Sequence, residues 1–209
     1  MASAPYGSAG ILPISYMYIK MMGADIKKST ELAILSPNYI ANRLKDAYPI
    51  LYSGTMGRNA HEFIIDMKPI KKVSGITEED VAKRLMDYGF HAPTLSFPAL
   101  GTLMVEPTES EDFDTVERFS QALLSIREEI REIEEGKADK DNNVLKNSPH
   151  TLAVVTSSDW KYPYSREKAA FPLPFVRQKG KFWPAVGRII GTWGDLNLNT
   201  CCPSVHNFI

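Results

Sequence analysis

Tyr88–Glu111 reads Tyr-Gly-Phe-His-Ala-Pro-Thr-Leu-Ser-Phe-Pro-Ala-Leu-Gly-Thr-Leu-Met-Val-Glu-Pro-Thr-Glu-Ser-Glu. Gly89 tolerates the positive φ that closes a helix at its C-terminal end. Pro93 and Pro98 keep the following residues out of helix and restrict the residues before them. Thr102–Val105 is short, apolar and partly β-branched, the pattern of a buried strand. Pro107 cuts it, and Thr108, Glu109, Ser110 and Glu111 follow as a polar cluster. A polar loop, a buried strand and a second polar loop between two helices present side chains to a ligand. An ordinary helix-to-strand crossover has the same pattern.

The flanking helices are read from their spacing. Glu78–Tyr88 has Thr77 as its N-cap, and Ile76 can staple onto Val81 across that cap. Val81, Leu85 and Tyr88 fall on one face. Downstream, Val116, Phe119, Leu123, Ile126, Ile130 and Ile133 alternate in steps of three and four. Burying each contributes about 1.5–3 kcal/mol before entropy is subtracted. Asp114 is the expected cap of this helix, with Glu117 completing a capping box. The heptad-like stripe suits packing on a sheet as well as a coiled coil, and its Glu/Arg-rich side reads as a solvated face.

Upstream, Ile11–Met22 is apolar around nearly its whole circumference and reads as a buried helix, with Pro13 in its first turn. A second helix is expected over Ile26–Tyr48, kinked at Pro37 and ended by Pro49. Ile50–Tyr52 and Ala60–Met67 read as an antiparallel pair of strands turned at Gly54 and Gly57, with Pro69 closing the second. Beyond Gly136 the texture changes. Lys137–Pro149 is polar and loop-like, and the remainder is rich in Pro, Trp, Phe and Tyr. That composition reads as an extension wrapped over another surface rather than as disorder.

The 209 residues suit one domain, or one domain with an extension. A net charge of -1 argues against nonspecific nucleic-acid binding. No apolar run is long enough to cross a bilayer, and Met1–Pro5 lacks the features of a secretory signal. Neither a nucleic-acid nor a membrane partner is expected. Cys201 and Cys202 are adjacent, which makes no disulfide framework and no zinc spacing, so they read as free thiols. No metal site is expected.

Tyr-Gly-Phe-His-Ala-Pro-Thr at Tyr88–Thr94, with Gly-Thr-Leu-Met-Val-Glu-Pro-Thr-Glu-Ser-Glu at Gly101–Glu111, resembles the P-protein of the glycine cleavage system. That family is a pyridoxal-phosphate (PLP) glycine decarboxylase. Ser-Ala-Pro-Tyr-Gly-Ser-Ala at Ser3–Ala9 and Pro-Tyr-Ser-Arg-Glu at Pro163–Glu167 are similar to it too. The resemblance spans essentially this whole chain but only the C-terminal part of the family's longer one. It implies an α/β fold: the small C-terminal domain of a fold type I PLP-dependent enzyme. Helices would pack on a small, mostly antiparallel sheet, followed by an aromatic- and Pro-rich extension. Residues 1–48 would lead from a large PLP domain, residues 49–136 would form the small domain, and residues 137–209 the extension.

The resemblance further implies glycine as substrate and PLP as cofactor. The partners it implies are the rest of a P-protein or another P-protein subunit, and the lipoylated H-protein that receives the aminomethyl group. The family's Schiff-base lysine lies before the Ser3–Ala9 motif, so this chain alone is expected to be inactive. The rival expectation is a non-catalytic piece that docks on P-protein or H-protein. The compartment expected is the mitochondrial matrix in a eukaryote and the cytoplasm in a bacterium.

Several residues are candidates for the site. Ser3, Tyr6, Gly7 and Ser8 form a small-residue loop opening a helix, whose free N–H groups suit the cofactor's phosphate. A plain helix start would look the same. His91 and Thr94 are expected at the active-site mouth, with Ser96 nearby, although a lone loop histidine is more often a structural group. Glu106, Thr108, Glu109 and Ser110 form a second polar cluster for substrate or partner. Arg166 could clamp a carboxylate, and its plainer role is pairing with a local Glu.

Overall fold

A computed structural model describes residues 6–198. Ser3, Cys201 and Cys202, all singled out above, lie outside the described residues. At the centre is a three-stranded antiparallel sheet of β1 (Phe63–Asp66), β2 (Thr94–Leu95) and β3 (Thr102–Val105), with β3 in the middle. Phe63 sits opposite Val105 and Asp66 opposite Thr102, while Thr94 faces Met104. The strand expected at Thr102–Val105 is present with those bounds.

Helices cover the sheet. Two of them, α1 (Leu12–Met22) and α2 (Ile26–Leu44), precede it. Between β1 and β2 come α3 (Lys68–Ser74) and α4 (Glu78–Asp87). The long helix α5 (Phe113–Glu134) follows β3. Helix α5 packs against α2, α3 and α4, while α2 touches β1 and α4 touches β2. The core is continuous from Ile40 and Leu44 through Phe63, Ile65 and Leu103 to Leu123, Ile126 and Ile130. Of the six stripe residues on α5, five are buried and Phe119 is half-buried. Helices on a small antiparallel sheet are the α/β arrangement the sequence led us to expect.

Four local expectations are corrected. The cap of α5 is Asp112, whose carboxylate accepts from the Thr115 N–H at 2.6 Å. Asp114 instead lies on the first turn and pairs with Arg118 and Lys179. Ile50–Tyr52 is not a strand: Ile50 makes one isolated bridge to Ile65, and β1 gives its main edge to β3. Pro69 does not merely end a strand; it sits in the first turn of α3, where its missing N–H costs nothing. Helix α1 forms as expected but buries none of its residues, because nothing in the described chain covers it.

The segment after Gly136 returns to this chain's own core. Helix α6 (Leu152–Thr156) is capped by Thr151 and meets α7 (Arg166–Ala170), which is followed by α8 (Pro174–Gln178). Ala169, Ala170 and Val176 are buried. The last described helix, α9 (Gly191–Leu196), buries nothing.

Candidate functional site

Three pieces of chain wall a cavity of about 340 Å³. Phe90, His91, Pro93 and Thr94 come from the loop that Gly89 starts, at φ +87°. Met104, Val105, Glu106 and Pro107 come from β3 and its exit. Glu111, Thr115, Val116 and Phe119 come from the approach to α5 and its first two turns, and Ile40 of α2 adds to the wall. Position follows from pairing. Thr94 sits opposite Met104 in the sheet, so the His91 loop and the β3 exit meet at the same sheet end.

The cavity has one apolar side and one polar rim. Ile40, Val105 and Val116 are buried, and Phe90 meets Phe119 edge-on at 5.3 Å between ring centroids. His91, Thr94, Glu106 and Glu111 are exposed at the rim. Among the described residues, none of these four side chains forms a hydrogen bond to another. The rim thus offers an imidazole, a hydroxyl and two carboxylates, beside an apolar wall. An apolar wall beside such a rim suits a ligand with an apolar body and a polar or cationic end. Its lining holds no lysine and no arginine. It therefore does not fit PLP by itself, since it offers neither a Schiff-base amine nor a cationic phosphate cup.

The expected residues divide. His91, Thr94 and Glu106 line the one cavity; Thr108, Glu109 and Ser110 do not. The Thr108 hydroxyl accepts from the Ser110 N–H at 3.2 Å, which shapes the turn before α5. Ser96 is occupied inside its own hairpin: its hydroxyl donates to Glu78 at 2.8 Å and accepts from the Gly101 N–H. Tyr6, Gly7 and Ser8 are exposed, and none of them lines the cavity. Arg166 does not pair with a Glu. Its guanidinium donates to the carbonyls of Val155 at 2.9 Å and Ser157 at 2.5 Å and stacks over Trp160.

One polar constellation escaped the sequence reading. Arg84, Asp87 and His150 are fully or almost fully buried, with Glu129 beside them. Asp87 accepts from the His150 backbone N–H, and its other oxygen lies 2.7 Å from His150 Nδ1. His150 Nε2 lies 2.8 Å from the Tyr164 hydroxyl. Burial pushes the Asp87 carboxyl up, but His150 and Arg84 outweigh it and hold the group below the usual range. Burial pushes the nearby Lys181 amine down to about 8, and that amine donates to the Asp87 carbonyl. A signal was present: Asp80, Arg84 and Asp87 are spaced by four and three, as a helix face requires. These groups face the segment after Gly136 and not the cavity. They fasten that segment to α4.

Comparison with known proteins adds the following. Residues 29–150 match the family model described as the C-terminal domain of glycine dehydrogenase. Over its whole length the chain is 56% identical to a glycine dehydrogenase (decarboxylating) of Psychrobacter arcticus, of which it covers 22%. It is 57% identical to the protein of that name from Paraburkholderia xenovorans, again over the whole chain and 21% of the relative. With the one from Prochlorococcus marinus the identity is 58% over 99% of this chain and 21% of the relative. The chain spans about a fifth of the length of the curated relatives it matches.

Proposed function

The chain belongs to the glycine dehydrogenase family, and from that premise we propose that it supplies the C-terminal part of a glycine-decarboxylating P-protein. In this reading PLP is held by upstream polypeptide, which carries its lysine. Bound there, PLP would supply an acceptor for the electron pair released as glycine loses carbon dioxide. The aminomethyl carbon would then bond to one sulfur of H-protein's lipoyl disulfide as the S–S bond breaks. This chain contributes one wall of the cleft. The apolar side formed by Ile40, Val116 and Phe119 excludes water. His91 and Thr94 orient the ligand at the mouth by hydrogen bonding, and Glu106 faces a cationic amine or a partner's basic side chain. Ser3, Tyr6, Gly7 and Ser8 approach the cofactor phosphate through backbone N–H groups.

The observation that carries this reading is the meeting of His91, Thr94 and Glu106 on one cavity, in a chain similar to glycine dehydrogenases from end to end. The test is reconstitution. The chain is combined with the polypeptide that precedes the matched segment in the Psychrobacter arcticus relative. PLP, lipoylated H-protein and carboxyl-labelled glycine are added. Labelled carbon dioxide is expected from the pair and from neither component alone, and His91→Ala should reduce it. A pair that assembles, binds PLP and releases no carbon dioxide would overturn the reading in favour of a scaffold.

A further inference from the structure

Helix α1 is apolar on every side and uncovered on every side. Ile14, Tyr16, Met17, Tyr18, Ile19 and Met21 are between 47% and 80% exposed. At about 100° per residue these six leave no gap around the helix wider than about 100°. Lys20 is the only charged residue between Leu12 and Met22. An all-round apolar helix belongs in an interior. Its main contacts within the described chain are with the short 3-10 turns at its two ends, Ala9–Ile11 and Gly23–Asp25.

The geometry limits what can cover it. A second copy packing helix on helix covers one stripe of each partner and leaves the rest wet. A membrane surface needs a helix with a strongly polar face, which α1 lacks. Eleven residues are too few to span a bilayer. What remains is a protein cavity that encloses the helix. The similarity to glycine dehydrogenases runs through this helix, and those relatives carry most of their length outside the matched segment.

We propose that α1 is a plug, enclosed on all sides by the upstream part of a glycine dehydrogenase, whether joined to this chain or supplied as a separate subunit. The proposal rests on the functional reading above and adds the surface through which the two parts join. It also makes the union a matter of insertion rather than of two faces meeting. Ile14 and Tyr16 project about 160° apart around the helix. An enclosing partner touches both, and a partner meeting one face touches one.

The experiment uses the whole chain and the upstream polypeptide of the Psychrobacter arcticus relative, co-expressed with a tag on the latter. The amount of chain co-purified and the affinity of the purified pair are measured. Ile14→Glu and Tyr16→Glu are compared with Val73→Glu, which places the same charge on an exposed apolar position of α3. Glutamate keeps the helix, and circular dichroism checks each variant. Both α1 variants are expected to weaken the complex by roughly tenfold or more, and Val73→Glu to leave it unchanged. A complex weakened by only one α1 variant, or by neither, overturns the plug while leaving the functional reading intact. A stable homodimer of the chain alone, lost in Ile14→Glu, overturns it in favour of a second copy. Failure to form any complex overturns both.

Discussion

Arg84 has five N–H donors, and each meets an oxygen. Nε and Nη2 grip both carboxylate oxygens of Glu129, Nη1 takes Asp87, and the two remaining donors take the carbonyls of Ala169 and Lys168. One side chain therefore joins α4, α5 and α7 in a place closed to water. A buried guanidinium is tolerated only when its desolvation is offset in this way. Arg84→Met should cost about 3–5 kcal/mol at neutral pH, because the buried Glu129 loses its bidentate partner and Asp87 keeps only its contacts to His150. The deficit should shrink in acid. Without Arg84 one of the groups holding the Asp87 carboxyl down is gone, so Asp87 titrates at higher pH than in the unaltered chain and the variant regains by protonation part of what it lacks. In the unaltered chain the sign is the usual one for a depressed carboxyl. Its contribution is present above the unfolded pKa of about 3.9 and is lost as pH falls through the lower folded value. Urea unfolding of both proteins between neutral pH and pH 4 checks this. A deficit that does not change with pH would mean that lost packing, not stranded charge, sets the cost.

Caps decide where the two best-defined helices begin. Thr77 accepts from the Asp80 N–H, and Asp80 accepts from the Thr77 N–H, a reciprocal capping box at the head of α4. Asp112 performs half of that role for α5. Thr77→Ala and Asp112→Ala should each cost about 1 kcal/mol. Asp114→Ala should cost less than about 0.5 kcal/mol, since Asp114 and Lys179 are exposed and Arg118 is only half-buried. Denaturant midpoints of the three variants order them. At this scale the sequence was most legible. The start of α4, the stripe of α5 and the bounds of β3 all follow from local spacing and punctuation. What was missed depends on neighbours distant in the chain. Gly54 and Gly57 signal a turn, and the turn is there: the Gly54 N–H donates to the Arg58 carbonyl. Yet β1 takes its main partner from β3, about forty residues on, and no local pattern announces that. Likewise the Asp80–Arg84–Asp87 stripe looks like a solvated face until the segment carrying His150, Lys168 and Arg188 is laid over it. The cavity was half legible for the same reason. His91, Thr94 and Glu106 sit on one punctuated stretch, whereas Ile40 and Phe119 reach it only through packing.

Across the whole molecule, burial is uneven in a way that composition hides. The interior is tied together by α4. Besides Arg84, its Asp80 accepts from Lys146 at 2.7 Å and from Arg188 at 2.5 Å, although only 1% of the residue is exposed. Arg188 also donates to the carbonyls of Ser148 and Leu145, so the chain between them is held at several points. Outside this frame stand α1 and the stretch around α9, where Ile189, Ile190, Trp193 and Leu196 are exposed. Helix stability in proteins comes mainly from packing, and an isolated helix shorter than about 12–15 residues is marginal in water. Helix α1 has 11 residues, none of them buried among the described residues, whereas α5 has 22 and an apolar stripe in the core. In the chain alone, amides of Leu12–Met22 should therefore exchange within about tenfold of the unstructured rate, while those of Leu123–Ile130 exchange only through global unfolding. Hydrogen exchange read by mass spectrometry resolves the two segments. Strong protection of α1 in a monomeric chain would mean that it finds a seat within these residues, and that its apolar surface is covered from inside rather than by upstream polypeptide.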